Sequence, residues 1–99
     1  MNDPRNLFDL TGRTALITGG SRGLGLQLAE ALGDFGARLV ISSRKQADLE
    51  AAQAHLSARG IDVSTFVCDN AVDEQAFALA DTAIARLGRV DILVNNAGA

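Results

Sequence analysis

The chain alternates two kinds of segment at a nearly constant interval, and that alternation restricts its fold more than any other feature. Short apolar runs stand at 14–18 (TALIT), 38–42 (RLVIS), 62–68 (DVSTFVC) and 91–95 (DILVN), each short enough for a buried strand. Between them lie longer stretches with apolar residues at helical spacing. Residues 23–35 carry Leu24, Leu28, Ala31, Leu32 and Phe35 and close on Gly36; residues 45–59 carry Leu49, Ala52 and Leu56 before Gly60; residues 72–87 carry Phe77, Ala80, Ile84 and Leu87 before Gly88. A strand followed by a helix every 25 residues or so, about the length of one βαβ unit, predicts a parallel sheet with right-handed crossovers. The expected architecture is α/β, the first half of a doubly wound sheet.

Composition decides what such a sheet serves. Ninety-nine residues make one small domain, able to bury roughly 60–68% of the surface its unfolded chain exposes. The proline-bearing start, residues 1–12, reads as a polar leader outside the core. Apolar residues at 47% and charged residues at 21% are ordinary for a globular chain. A net charge of −3 and the lack of any Lys/Arg cluster argue against a nucleic-acid surface. No apolar run approaches the ~20 residues that span a bilayer. A single cysteine, Cys68, cannot form an internal disulfide, and the start has no signal-peptide pattern, so a cytoplasmic protein is expected. No group of side chains suggests a metal site. Cys68, closing a strand with no partner base, reads as a core thiol, and His55, beside the apolar face of its helix, as solvated.

Residues 16–25 read LITGGSRGLG, and their position gives the glycines a role. A loop between a parallel strand and the next helix lies at the carboxyl edge of the sheet, where such folds bind ligands. The helix amino terminus there offers unpaired N–H groups and partial positive charge to a pyrophosphate. Gly19 suits the positive φ of a tight turn, Gly23 admits close approach of phosphates to the backbone, and Gly25 allows the helix to pack close to the strand. Ser21 and Arg22 can add hydroxyl and guanidinium contacts, and Leu24 is counted with them as a cofactor-binding residue. The spacing Gly19-x3-Gly23-x-Gly25 differs from the common G-x-G-x-x-G, and a glycine-rich turn without a ligand is the plainer alternative.

A second motif, NNAG at 95–98, follows the fourth strand. Asn95, on a buried strand, can tie neighbouring strands together through its amide, and Asn96, Ala97 and Gly98 make a loop of small residues that a ribose could pass. An ordinary turn after a strand uses the same residue types. TGGSRGLG at 18–25 and NNAG at 95–98, in this order and at this separation, together resemble the classical short-chain dehydrogenase/reductase family, over essentially the whole chain from about Leu7. The resemblance implies a Rossmann-type sheet of order 3-2-1-4 with helices on both faces. It also implies a nicotinamide cofactor, hydride transfer to or from a small carbonyl or alcohol substrate, and a parent enzyme assembled from identical copies. It places Asp69, with Asn70 beside it, where the family has an acidic residue that hydrogen-bonds the adenine. Both could equally cap the following helix.

Two further features refine the expectation. Folds of this kind that prefer NAD carry an Asp or Glu at the end of the second strand, about 20 residues past the glycine loop, which binds ribose hydroxyls and repels a 2′-phosphate. Here the second strand runs VISSRK, with Ser43 at that place and Arg44 and Lys45 next. Arg44, joined by Arg22, can make charge-assisted contacts to a phosphate, so NADP is expected over NAD. Solvated cations at the start of a helix are the alternative.

The family's chemistry also needs a Ser and a Tyr-x-x-x-Lys pair. The sequence has no tyrosine, and its lysine, Lys45, lies at the second crossover. No catalytic residue is therefore expected in these 99 residues. The chain reads as the amino-terminal part of such an enzyme, inactive and prone to associate by itself; the alternatives are a stand-alone nucleotide-binding module or a fragment that completes another chain's fold.

Overall fold

A computed structural model describes residues 9–69 and 73–96. The elements follow the alternation: β1 (Thr14–Thr18), α1 (Gly23–Asp34), β2 (Arg38–Ser43), α2 (Gln46–Ala58), β3 (Val63–Val67), α3 (Asp73–Leu87) and β4 (Ile92–Asn95). The four strands form one sheet in the order β3-β2-β1-β4, and every pairing is parallel. The reversal of direction between β1–β2 and β1–β4 is the switch point at which folds of this kind open a crevice.

Side chains alternate across the sheet and build two cores. Ala15, Ile17, Leu39, Ile41 and Val63 pack with Ala29 of α1 and with Leu49, Ala52 and Leu56 of α2. Leu16 and Val40, with Cys68 just beyond β3, pack on the opposite face with Leu79, Ala83 and Leu87 of α3. Ile17, Leu39, Ile41, Leu49 and Leu56 are fully buried, and each contributes about 1.5–3 kcal/mol of apolar transfer free energy. The Leu49, Ala52 and Leu56 stripe expected for α2 is the buried one.

Two helices turn differently from their sequence stripes. On α1 the buried residues are Gly25 and Ala29, with Leu26 and Leu32 packed against the core, while Leu24 is 61% exposed. The small residues face the sheet because the helix start lies so close to the β1–α1 loop that no larger side chain fits there. On α3, Leu79, Ala83 and Leu87 take the sheet face, leaving Phe77 and Ile84 at 72% and 53% exposed. This helix carries apolar residues on two sides, and spacing alone does not say which side meets the sheet.

The leader also reaches further into the fold than its composition suggests. The Leu10 N–H donates to the Phe35 carbonyl at 2.7 Å, and the Leu10 side chain packs against the first core.

Candidate functional site

Because all four strands run the same way, their carboxyl ends meet at one edge. Thr18 is in register with Ser42 on one side and Asn95 on the other, and Ser43 with Val67. The residues that follow, Gly19 to Arg22, Arg44, Cys68 and Asp69, and Asn96, therefore leave the sheet side by side. Asn70, Ala97 and Gly98 lie outside the described residues.

Gly19 takes the positive φ its place in the sequence anticipates, +66°; Gly23, read from the sequence as a point of close approach, is also left-handed at +58°, a region that residues with a Cβ rarely enter. A Cβ on Gly25 would lie 2.1 Å from the Gly19 carbonyl oxygen and 2.8 Å from the Asn96 Nδ2. Helix α1 thus begins in van der Waals contact with the loop that feeds it. Its cap residue, Arg22, is extended and contributes no side-chain hydrogen bond, and the first turn holds no acidic residue. The positive end of the helix dipole is left uncompensated.

A hydrogen-bonded hub fixes this loop to its neighbours. The Thr18 hydroxyl accepts from the Asn96 N–H at 3.0 Å and lies within donating distance of the Asn95 Oδ1 at 3.0 Å and the Val94 carbonyl at 3.3 Å. The Asn96 amide donates to the Gly19 carbonyl at 3.3 Å, and the Gly20 N–H donates to the Ser42 carbonyl at 3.1 Å. Asn95 does tie β4 to β1, though from an exposed position rather than a buried one. It lies at the end of β4, an outer strand with no further strand beside it among the described residues. Thr18 and Gly20 were missed by the sequence reading. Their signal was only a polar β-branched residue at a strand end and a doubled glycine.

At the end of β2, the Ser43 hydroxyl accepts from the Lys45 N–H at 3.3 Å, turning the chain into α2. Past β3, the Asp69 N–H donates to the Gln75 Oε1 at 2.7 Å and so ties the strand end to α3. Cys68 is buried; desolvation, reinforced by the charge of Asp69, pushes its thiol pKa up, which makes it a poor nucleophile.

Charge pairing separates the edge from the rest of the surface. Arg38 pairs with Asp62, Arg59 with Asp34, and Arg13 and Arg89 with Asp91. Arg86 donates to the Thr65 carbonyl. His55 is partnered too, its Nε2 2.6 Å from Glu30, so it is not merely solvated. Among the described residues, the exposed cations with no protein partner are Arg22, Arg44 and Lys45. All three stand at the carboxyl edge, Arg22 as the cap residue of α1 and Arg44 and Lys45 between β2 and α2. Ser21, by contrast, is buried. No group of three or more His, Cys, Asp or Glu that could hold a metal occurs among the described residues, and no helix there is long and apolar enough to cross a membrane.

A parallel sheet of order 3-2-1-4, with a glycine-rich β1–α1 turn at its switch point, is the first half of a Rossmann-type fold. A family model described as short chain dehydrogenase matches residues 13–99. The chain belongs to the short-chain dehydrogenase family.

It is 45% identical over 94 residues to gluconate 5-dehydrogenase of Gluconobacter oxydans (strain 621H), a match covering 94% of this chain and 36% of that protein. A metagenomic short-chain oxidoreductase solved in complex with NADP superposes with a TM-score of 0.87 at 38% identity, covering 92% of this chain and 41% of the other. A 7α-hydroxysteroid dehydrogenase solved with NADH and 7-oxo glycochenodeoxycholic acid gives 0.92 at 35% identity, covering 100% and 38%. The chain thus spans 36% of the length of that curated relative.

Proposed function

We propose that this chain is the amino-terminal, cofactor-binding part of an NADP(H)-dependent oxidoreductase that interconverts a small carbonyl compound and its alcohol. The observation that carries the reading is the set of unpaired cations Arg22, Arg44 and Lys45 beside a glycine loop whose helix start is uncompensated. Relatives of the same fold are solved with either cofactor, NADP in one and NADH in another, so the preference rests on this chain's own residues.

The residues present fit a dinucleotide. Apart from its chain neighbours and its own helix, no described residue comes within 4 Å of where a Cβ on Gly23 would stand, which leaves the backbone open to a pyrophosphate at the start of α1. Ser21, Leu24 and Gly25 belong to the same turn. Ser43 and Arg44 would hold the adenosine end, with Arg22 reaching a 2′-phosphate from the loop. Asp69 and Asn70 would border the adenine, and Asn96, Ala97 and Gly98 the nearer ribose. When bound, the nicotinamide gives or takes the hydride.

The 99 residues contain no tyrosine, and their lysine is Lys45, so the proton of that reaction is handled by a part of the enzyme this chain does not cover. By itself the chain is expected to bind without turnover.

Calorimetric titration with 2′,5′-ADP and 5′-AMP, which differ by the 2′-phosphate alone, tests the reading on the chain itself. The diphosphate should bind at least ~tenfold more tightly, and Arg44→Ala should remove most of that margin. Equal affinity for the two in the unmutated chain overturns the NADP reading.

A further inference from the structure

The sheet has two outer strands, β3 and β4. In β3 the even positions turn their backbone groups toward β2: the Leu39 N–H donates to the Asp62 carbonyl at 2.9 Å, and the Cys68 N–H to the Ser43 carbonyl at 2.9 Å. The odd positions, Val63, Thr65 and Val67, therefore present their N–H and C=O groups outward, as an unpaired edge does. Two of those carbonyls are taken. The Gln53 side chain, from α2 on one face of the sheet, donates to the Val63 carbonyl at 3.4 Å. The Arg86 guanidinium, from the last turn of α3 on the opposite face, donates to the Thr65 carbonyl at 3.3 Å. Arg86 is itself braced, since its own carbonyl accepts from Arg38 at 3.2 Å.

We propose that Gln53 and Arg86 form a clasp over the β3 edge, reaching it from both faces of the sheet, that keeps β3 from pairing with a strand of a second copy of this chain. A pairing strand must donate its own N–H groups to the carbonyls of Val63 and Thr65, and both acceptors are engaged by side chains anchored on packed helices. Arg86 adds a bulky charge directly in the path of an incoming strand. Such a strand would have to displace both donors before the first ladder bond forms. The exposed, apolar Val67 at the end of the strand shows that the edge is not protected by composition: it is a short β-branched segment of the kind that self-associates when left open.

The test uses the 99-residue chain and a Gln53→Ala/Arg86→Ala double variant, each examined by sedimentation velocity and by amide hydrogen exchange over a concentration series. In the unmutated chain the outward N–H groups of Thr65 and Val67 should exchange quickly at every concentration. In the double variant they should slow by ~tenfold or more as concentration rises, together with a larger sedimenting species. Adding Val67→Pro, which removes one outward donor at an edge position that tolerates proline, should reverse both effects. Arg86→Ala alone should show the same change to a smaller extent, and serves if the double variant does not fold. Fast exchange at Thr65 and Val67 in the folded variants at all concentrations overturns the proposal. So does association that protects Ile92 and Val94 of β4 instead, or concentration-dependent protection of β3 in the unmutated chain.

Discussion

Gly25→Ala is the substitution whose outcome the structure predicts most sharply, because two effects of opposite sign compete. Alanine in place of glycine within a helix ordinarily stabilises by about 0.5–1 kcal/mol. At this position, however, the new methyl group would stand 2.1 Å from the Gly19 carbonyl oxygen and 2.8 Å from the Asn96 amide nitrogen. The first contact is shorter by about 1 Å or more than van der Waals distance, and its partner is backbone that no rotamer change can move aside.

Overpacking of this kind costs about 1–3 kcal/mol, with rigid partners at the upper end. The helical gain offsets about a third of that, and the net loss is about 2 kcal/mol. With an m value of about 1–3 kcal/mol/M, the urea midpoint should fall by about 1 M, and affinity for 2′,5′-ADP should fall as the loop is pushed out. Gly33→Ala is the internal comparison. The three atoms nearest its methyl group would all belong to the Ile61 side chain, at 2.5–2.8 Å, which can change rotamer, so the loss should be clearly smaller. A Gly25→Ala chain with a urea midpoint at or above that of the unmutated chain would refute the close helix–loop contact and the reasoning built on it.

Thr18→Val keeps the side-chain shape and removes the hydroxyl, leaving the Asn96 N–H without the acceptor it has at 3.0 Å; a loss of about 1–3 kcal/mol is expected. Faster hydrogen exchange at the Asn96 amide in the variant, with Thr18→Ser close to the unmutated chain, is the check. Asp91 takes a hydrogen bond from the Thr14 N–H at 2.9 Å, and this bond first, then Arg89 and the Thr14 hydroxyl, hold its carboxyl below the ordinary carboxylate value against the opposing effect of desolvation. Its stabilisation is therefore complete above the unfolded value of about 3.9 and is lost as pH falls through the lower folded one. Thermal unfolding should show Asp91→Asn destabilised at neutral pH, with the gap to the unmutated chain closing below about pH 4.

The order of elements, the parallel sheet and the backbone of the glycine turn were legible in the sequence, because each is set by local chemistry. A run such as TALIT between turn residues makes a strand, and a glycine placed where φ must be positive makes a turn. The stripe Leu49, Ala52 and Leu56 was legible for the same reason, since α2 carries apolar residues on one face only. Which face of α1 and α3 meets the sheet was not. Leu24, Phe77 and Ile84 are as apolar as the residues that are buried, and the choice was made by how near each helix can approach. For α1 that distance is set by Gly25 against the Gly19 carbonyl, which brings Ala29 inward and leaves Leu24 in solvent.

The candidate site divides along the same line. TGGSRGLG and NNAG marked its outline, yet the hub that joins them, Thr18 with Asn95 and Asn96, spans nearly eighty residues of sequence and exists only because β1 and β4 lie side by side. The pairing of charges is decided there too. Arg38, Arg59 and Arg89 look no different in the sequence from Arg22 and Arg44. Folding brings Asp62, Asp34 and Asp91 to the first three, and among the described residues it brings no carboxylate to the two at the carboxyl edge. Charge is a property of residues, but its neutralisation depends on distance, and distances between remote residues are created only when the chain packs.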